Sequence, residues 1–185
     1  MENERLDLDL WMNQELIKRQ NRLKSQMWAM FSELGNTLAS HPLVRHHPNS
    51  KGVKLSQGNN LVGYPYHVLD LIRDFDPKNG LNIRVLNWFG HGFYLIVYLG
   101  AGRIANLPLD YLNQKLKYST ADDPFDYPGM ILEKLYTNPK SFEITPVGLQ
   151  TWFKAIEANH SKEEMRTRIA NSTIKILDIL NRSVV

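Results

Sequence analysis

Five of the six histidines in this chain lie between positions 41 and 91, and neutral imidazole is the commonest protein ligand for zinc and similar metals. His46 and His47 are adjacent in a stretch rich in proline, glycine and asparagine, His67 sits in an apolar run, and His91 stands between two glycines. These four form the candidate metal set, with Asp70 available to complete it. No compact metal motif is present: there is no His-Glu-x-x-His and no pair of histidines four apart. In an extended strand, His67 and Asp70 would face opposite sides, which works against one ion taking both. The plainer reading gives the histidines separate roles, and the expected cofactor is none, with a divalent metal as the alternative.

Other chemistries have weaker signals. A serine nucleophile needs a histidine base and an orienting carboxylate, and no Gly-x-Ser-x-Gly elbow is present. Asp122, Asp123 and Asp126 crowd a segment of turn-forming residues, where aspartate more often caps backbone than does acid–base work. Gly100-Ala101-Gly102-Arg103 has two glycines of a phosphate loop without the third glycine or a Walker lysine. Arg103 remains a candidate anion contact. Tyr64, Tyr66, Trp88, Phe89, Phe93, Tyr94 and Tyr98 concentrate aromatic area in one region. Such rings either fill a core or line a pocket whose few polar groups orient a ligand. Tyr66, His67, Trp88, His91 and Arg103 are the candidate ligand-binding residues.

The elements that would position these residues centre on 82–99. Two apolar runs flank Gly90-His91, where glycine in the first central position suits a two-residue type II′ turn. That turn would set Trp88, Leu86 and Arg84 beside Phe93, Leu95 and Val97, with Phe89, Val85 and Ile83 beside Tyr94, Ile96 and Tyr98. Both faces are largely apolar, as in strands covered on both sides. Residues 64–72 read as a further strand entered through Pro65, with 53–57 as a short one. Upstream, Leu16, Gln20, Leu23, Met27, Met30, Phe31, Leu34 and Leu38 recur at helical spacing and predict an amphipathic helix over about 13–39. Downstream, the pattern predicts a short helix over 108–116, an undecided segment at 130–136 and an edge strand at 142–145. A helix is expected over 147–158, then a last one from Ser161, whose Ser-x-x-Glu is a capping-box signature.

The segments Gly63-Tyr64-Pro65-Tyr66-His67-Val68-Leu69-Asp70 and Asn87-Trp88-Phe89-Gly90-His91-Gly92-Phe93 resemble a group of small bacterial proteins, mostly from Bacteroidota, with no established activity. The resemblance implies a related fold and a bacterial origin. It carries no mechanism and no site residue.

A length of 185 residues suits one domain. The expectation is a single α+β domain over 1–185: N-terminal helix about 13–39, long loop 40–63, sheet 64–99, mixed region 103–145 and C-terminal helices 147–182. Its fold would be a short antiparallel sheet of three to five strands, centred on hairpin 82–99 and packed by the long N-terminal helix and two C-terminal helices. The absence of cysteine excludes disulfides and thiolate sites. The first residues lack a signal-peptide pattern, and no run approaches the ~20 apolar residues of a membrane span, so the cytoplasm is the expected location. The formal charge of +3 is spread along the chain, and the basic residues at 18–24 read as a solvated helix face, so nucleic acid is an unlikely partner. The leading functional expectation is a non-catalytic binding or interaction module with a protein or small-molecule partner, and a homodimer through the long helices is open to it. A metal- or ligand-dependent enzyme using the histidines is the alternative, and a nucleic-acid-binding accessory protein the second.

Overall fold

The computed structural model describes residues 5–104, 107, 112–137 and 147–181. Among them, seven strands form one antiparallel sheet: β1 (Lys54–Leu61), β2 (Tyr64–Asp74), β3 (Leu81–Trp88), β4 (Gly92–Gly100), β5 (Lys117–Ser119), β6 (Tyr136–Thr137) and β7 (Leu149–Ile156). Their order is β1-β2-β3-β4-β7-β5-β6. Helices are α1 (Leu8–Trp11), α2 (Gln14–Leu38), α3 (Pro42–His46), α4 (Ala101–Ile104), α5 (Tyr127–Ile131) and α6 (Lys162–Asn181). The α+β class is as expected, while the sheet is larger than three to five strands and the helices are arranged differently.

The largest departure is residues 147–158. Leu149, Trp152, Phe153 and Ile156 are spaced for a helix, yet the segment is β7, paired along its length with β4 from Phe93↔Ile156 to Gly100↔Leu149. Strand β4 is buried almost throughout and its outer backbone edge needs a partner, since unpaired buried amides are costly. The pairing outweighs local periodicity. One C-terminal helix, α6, therefore remains where two were expected. Ser161 Oγ accepts from the Glu164 amide at 3.3 Å. The return half of the expected box is replaced by Asn159, whose side chain accepts from the Ser161 amide and donates to Glu164.

The central hairpin forms with a different register. Its loop has three residues, Phe89-Gly90-His91, because Trp88 pairs with Gly92. The His91 amide donates to the Trp88 carbonyl at 2.9 Å, and Gly90 adopts φ +80° at the third position of that turn, which suits type II rather than II′. One extra loop residue inverts cross-strand parity. Trp88, Leu86 and Arg84 consequently share a face with Tyr94, Ile96 and Tyr98, while Val85, Ile83 and Leu81 share the other with Phe93, Leu95, Val97 and Leu99. A second irregularity lies in β2, where the register shifts between Asp70 and Ile72. Tyr66, Val68 and Asp70 share one face, but Ile72 crosses to join Leu69 and Leu71.

Each sheet face has its own core. On one, α2 lies against β1, β2 and α6, and α6 against β4 and β7. There α2 buries Met30, Phe31, Leu34 and Leu38, each contributing roughly 1.5–3 kcal/mol. On the other face Val68, Leu86, Trp88, Ile96, Tyr98 and Phe153 are covered by Tyr127 and Met130 of α5. The expected loop over 40–63 contains α3 and β1, and the short strand expected at 53–57 runs on to Leu61. Residues 130–136 divide into the end of α5 and the start of β6. The strand expected at 142–145 lies outside the described residues, as do 108–111 of the expected short helix.

Candidate functional site

The four candidate metal-binding histidines do not converge. His46 ends α3 and is exposed, while His47 beside it is buried. His47 Nε2 lies 3.9 Å from Asp74 Oδ2 and 3.4 Å from Arg103 Nη2. Burial, then the Arg103 charge, lower the His47 pKa, and Asp74 only partly opposes them. His67 points to the helix face, its ring within 5.0 Å of Phe89, 5.6 Å of Trp28 and 6.3 Å of Phe31. Burial followed by the Lys24 charge lowers its pKa too. His91 lies over the Trp88 ring at 4.1 Å and meets the edge of Tyr64 at 4.7 Å, on the opposite side of the sheet from His67. Among the described residues, no group of three or more histidine, aspartate or glutamate side chains could hold a metal ion.

The candidate ligand set divides as well. Tyr66 and Trp88 are cross-strand neighbours, with His91 against Trp88, so these three share one end of the sheet. Trp88 donates from Nε1 to the Leu61 carbonyl, and Tyr66 packs over Gly58, where a Cβ would come within 2.4 Å of its ring. Arg103 is at the other end of the hairpin, its Nε donating to the Asn79 carbonyl at 3.0 Å. The reason is topological: a hairpin places its turn and its two ends a full strand length apart.

A polar network that sequence spacing did not single out lies under α5. Asp70 and Arg84 are paired across β2 and β3 and joined by two hydrogen bonds, Nε to Oδ1 at 2.7 Å and Nη2 to Oδ2 at 3.0 Å. Arg84 Nη1 donates to the Tyr127 hydroxyl, which is 2.6 Å from that of Tyr98. Burial by itself would lower the Arg84 pKa; the Asp70 hydrogen bond, then the two phenols, more than offset it and hold the guanidinium charged. Burial raises both tyrosines, so they stay neutral and can donate. This bidentate pair is closed on itself and ties α5 to the sheet.

The feature least accounted for by internal packing is the amino-terminal arm, α1 with the first half of α2. Asp7 and Asn13 cap the two helices through the Leu10 and Leu16 amides. None of the residues of α1 is buried, and α2 is buried only from Met30 onward. Yet the stripe that seats Met30, Phe31, Leu34 and Leu38 continues through Met27, Leu23 and Leu16 into the arm. Leu6 and Trp11 are 81% and 79% exposed, and Leu8, Leu10, Met12, Ile17, Leu23 and Trp28 are exposed with them. Met27 and Trp28 still touch the body; at 1.5 Å per residue, positions 14–23 extend roughly 15 Å of helix beyond it. Sequence periodicity had placed the whole stripe in the core. The available signal was length: α2 has 25 residues, more than the sheet covers. No helix of the described residues is long and apolar enough to cross a membrane. In comparisons with known proteins, the chain matches no family model, no curated protein and no solved structure.

Proposed function

We propose that the protein is a non-catalytic interaction module whose α1–α2 arm pairs antiparallel with the arm of a second copy. The observation that carries this is the arm's uncovered apolar stripe, which continues a stripe whose other half is core. Eight large apolar residues between Leu6 and Trp28 are exposed, Leu23 on that stripe and the others on its flank or in the α1 segment. At roughly 100 Å² each they present about 800 Å², what one partner contributes to a standard interface. Charge favours a second copy as the occupant. Asp7, Asp9 and Glu15 occupy the first part of the arm and Lys18, Arg19, Arg22 and Lys24 the next. An antiparallel two-fold crossing near Leu16 and Ile17 sets each acidic stretch against the other's basic one. A parallel pairing sets like against like. Self-complementarity of this kind is what a two-fold interface requires.

Sedimentation velocity of the full chain at micromolar concentration tests the reading. A dimer is expected, and Leu16→Asp with Leu23→Asp should leave a folded monomer that melts cooperatively at a temperature independent of concentration, because neither side chain is in the core. A wild-type monomer, or a dimer insensitive to both substitutions, overturns it. So does a monomer that binds anionic phospholipid vesicles through the arm.

A further inference from the structure

Strand β5 stops short of the end of β7. Lys117 pairs with Phe153, the last cross-strand pair in that direction, while β7 continues through Lys154 and Ala155 to Ile156. The chain before β5 turns away there, with the Leu116 amide bonded to the Leu112 carbonyl. The step left in the sheet is a cavity of about 560 Å³ between the end of β7, the 113–117 segment, Tyr94, Ile131 and Tyr136. Its size falls within the ~300–1,000 Å³ typical of small-molecule sites.

Three lysines line this cavity: Lys115 and Lys117 before and in β5, and Lys154 in β7, Lys117 on the Phe153 side of the sheet and Lys154 on the side of Trp152 and α6. Lys175 of α6 approaches from the helix side, lining an adjoining cavity that shares Lys154 and Ala155. Among the described residues none of the four ammonium groups forms an ion pair. The nearby acid, Glu157, is bound to Arg168 at 2.8 Å. Burial, then the charges of Lys175 and Lys115, lower the Lys154 pKa, so this crowding is felt at the cavity wall. Four positive charges here exceed the +3 net charge of the whole chain. Flat apolar surface adjoins them. Tyr136 meets Phe153 edge-on at 5.5 Å, Lys117 Nζ stands 3.9 Å over the Tyr136 ring, and Tyr94 lies alongside, its hydroxyl tied to the His91 carbonyl.

We propose that this cavity binds a nucleoside di- or triphosphate across the open edge of β7, its phosphates held on the α6 side by Lys115 and Lys154 with Lys175 beyond them, and its base on the other side against the aromatic wall of Tyr94, Tyr136 and Phe153. A polyanion neutralises ammonium groups that no carboxylate of the described residues pairs, and a planar base suits the ring-lined side. The site is separate from the arm and does not depend on dimerisation.

Titration calorimetry of the full chain with ADP at low ionic strength tests it, with pyrophosphate and a ten-nucleotide deoxythymidine strand as comparison probes. Saturable ADP binding is expected, at least tenfold tighter than pyrophosphate and weakened as salt is raised. Lys154→Gln and Lys115→Gln should each weaken it about tenfold. Because Lys154 is partly buried, the exposed Lys175→Gln serves as the variant that leaves packing untouched, and thermal melts report folding for all three. No saturable ADP binding, binding unaffected by these substitutions, or pyrophosphate binding as tightly as ADP overturns the proposal. Tighter binding of the oligonucleotide than of ADP also overturns it, in favour of a single-strand groove.

Discussion

Replacing Asp70 by Asn keeps the side chain's shape and removes the charge that Arg84 was built around. The two hydrogen bonds from Arg84, at 2.7 and 3.0 Å, both end on Asp70, and the two side chains are only 15% and 6% exposed. An asparagine retains one acceptor and turns an NH2 group toward the guanidinium. Arg84 is then left with the Tyr127 hydroxyl and the face of Tyr98, whose centroid lies 5.8 Å from Cζ. Breaking a buried pair by removing one partner costs about 3–5 kcal/mol. At about 2–4 °C per kcal/mol for a chain of this size, the melting temperature should fall by roughly 6–20 °C. Urea unfolding followed by tryptophan fluorescence measures the difference directly. The double variant Asp70→Leu with Arg84→Met should cost less than Asp70→Asn alone, because it leaves no charge stranded. A cost below about 1 kcal/mol for Asp70→Asn, the range of an exposed ion pair, would refute the reasoning. Additivity within about 0.5 kcal/mol across the Asp70–Arg84 cycle would do the same.

The remaining predictions concern pH and close packing. The folded-state pKa of His67 is lowered, so below the unfolded value of about 6.5 the unfolded chain binds more protons than the folded one. The stability that neutral His67 contributes is fully present above that value and is lost as pH falls through the folded-state pKa. His67→Phe should flatten the urea midpoint between pH 7 and pH 5, and an unchanged slope would count against the aromatic enclosure. His47, also lowered, should account for part of the slope that survives. Gly100 ends β4 where a Cβ would lie 2.6 Å from the Lys78 carbonyl group; Gly100→Ala should destabilise by about 1–3 kcal/mol through overpacking, measured by thermal melting.

Much of the local structure was legible in the residue order, because it rests on contacts between near neighbours. The α2 stripe, the start of α6 at Ser161 and the apolar strands on either side of Gly90 each depend on residues a few positions apart. Register was another matter. Whether the hairpin loop has two residues or three decides whether Tyr98 or Val97 shares the face of Trp88 and Arg84, and both loops are compatible with Phe89-Gly90-His91-Gly92. Only the three-residue loop brings Tyr98 to the face where Arg84 pairs with Asp70 and meets Tyr127. Residues 149–156 show the same limit, for their apolar spacing is that of a helix and the segment is a strand. The open edge of β4, fifty residues earlier in the chain, selected the strand.

The two proposed sites separate in the same way. Leu16, Leu23 and Met27 belong to one helical pattern with the core residues of α2 and were visible as such, but a pattern cannot say how far the sheet extends beneath it. The halfway emergence of α2 was decided by where β1 and β2 end. The four lysines at the end of β7 come from positions 115, 117, 154 and 175, too widely spaced for any local charge count to register. Local order sets which elements form, because propensity, capping and periodicity act over a few residues. Which side chains meet is set by the pairing of distant strands, because hydrogen-bonded edges and buried charges must find partners wherever the folded chain brings them.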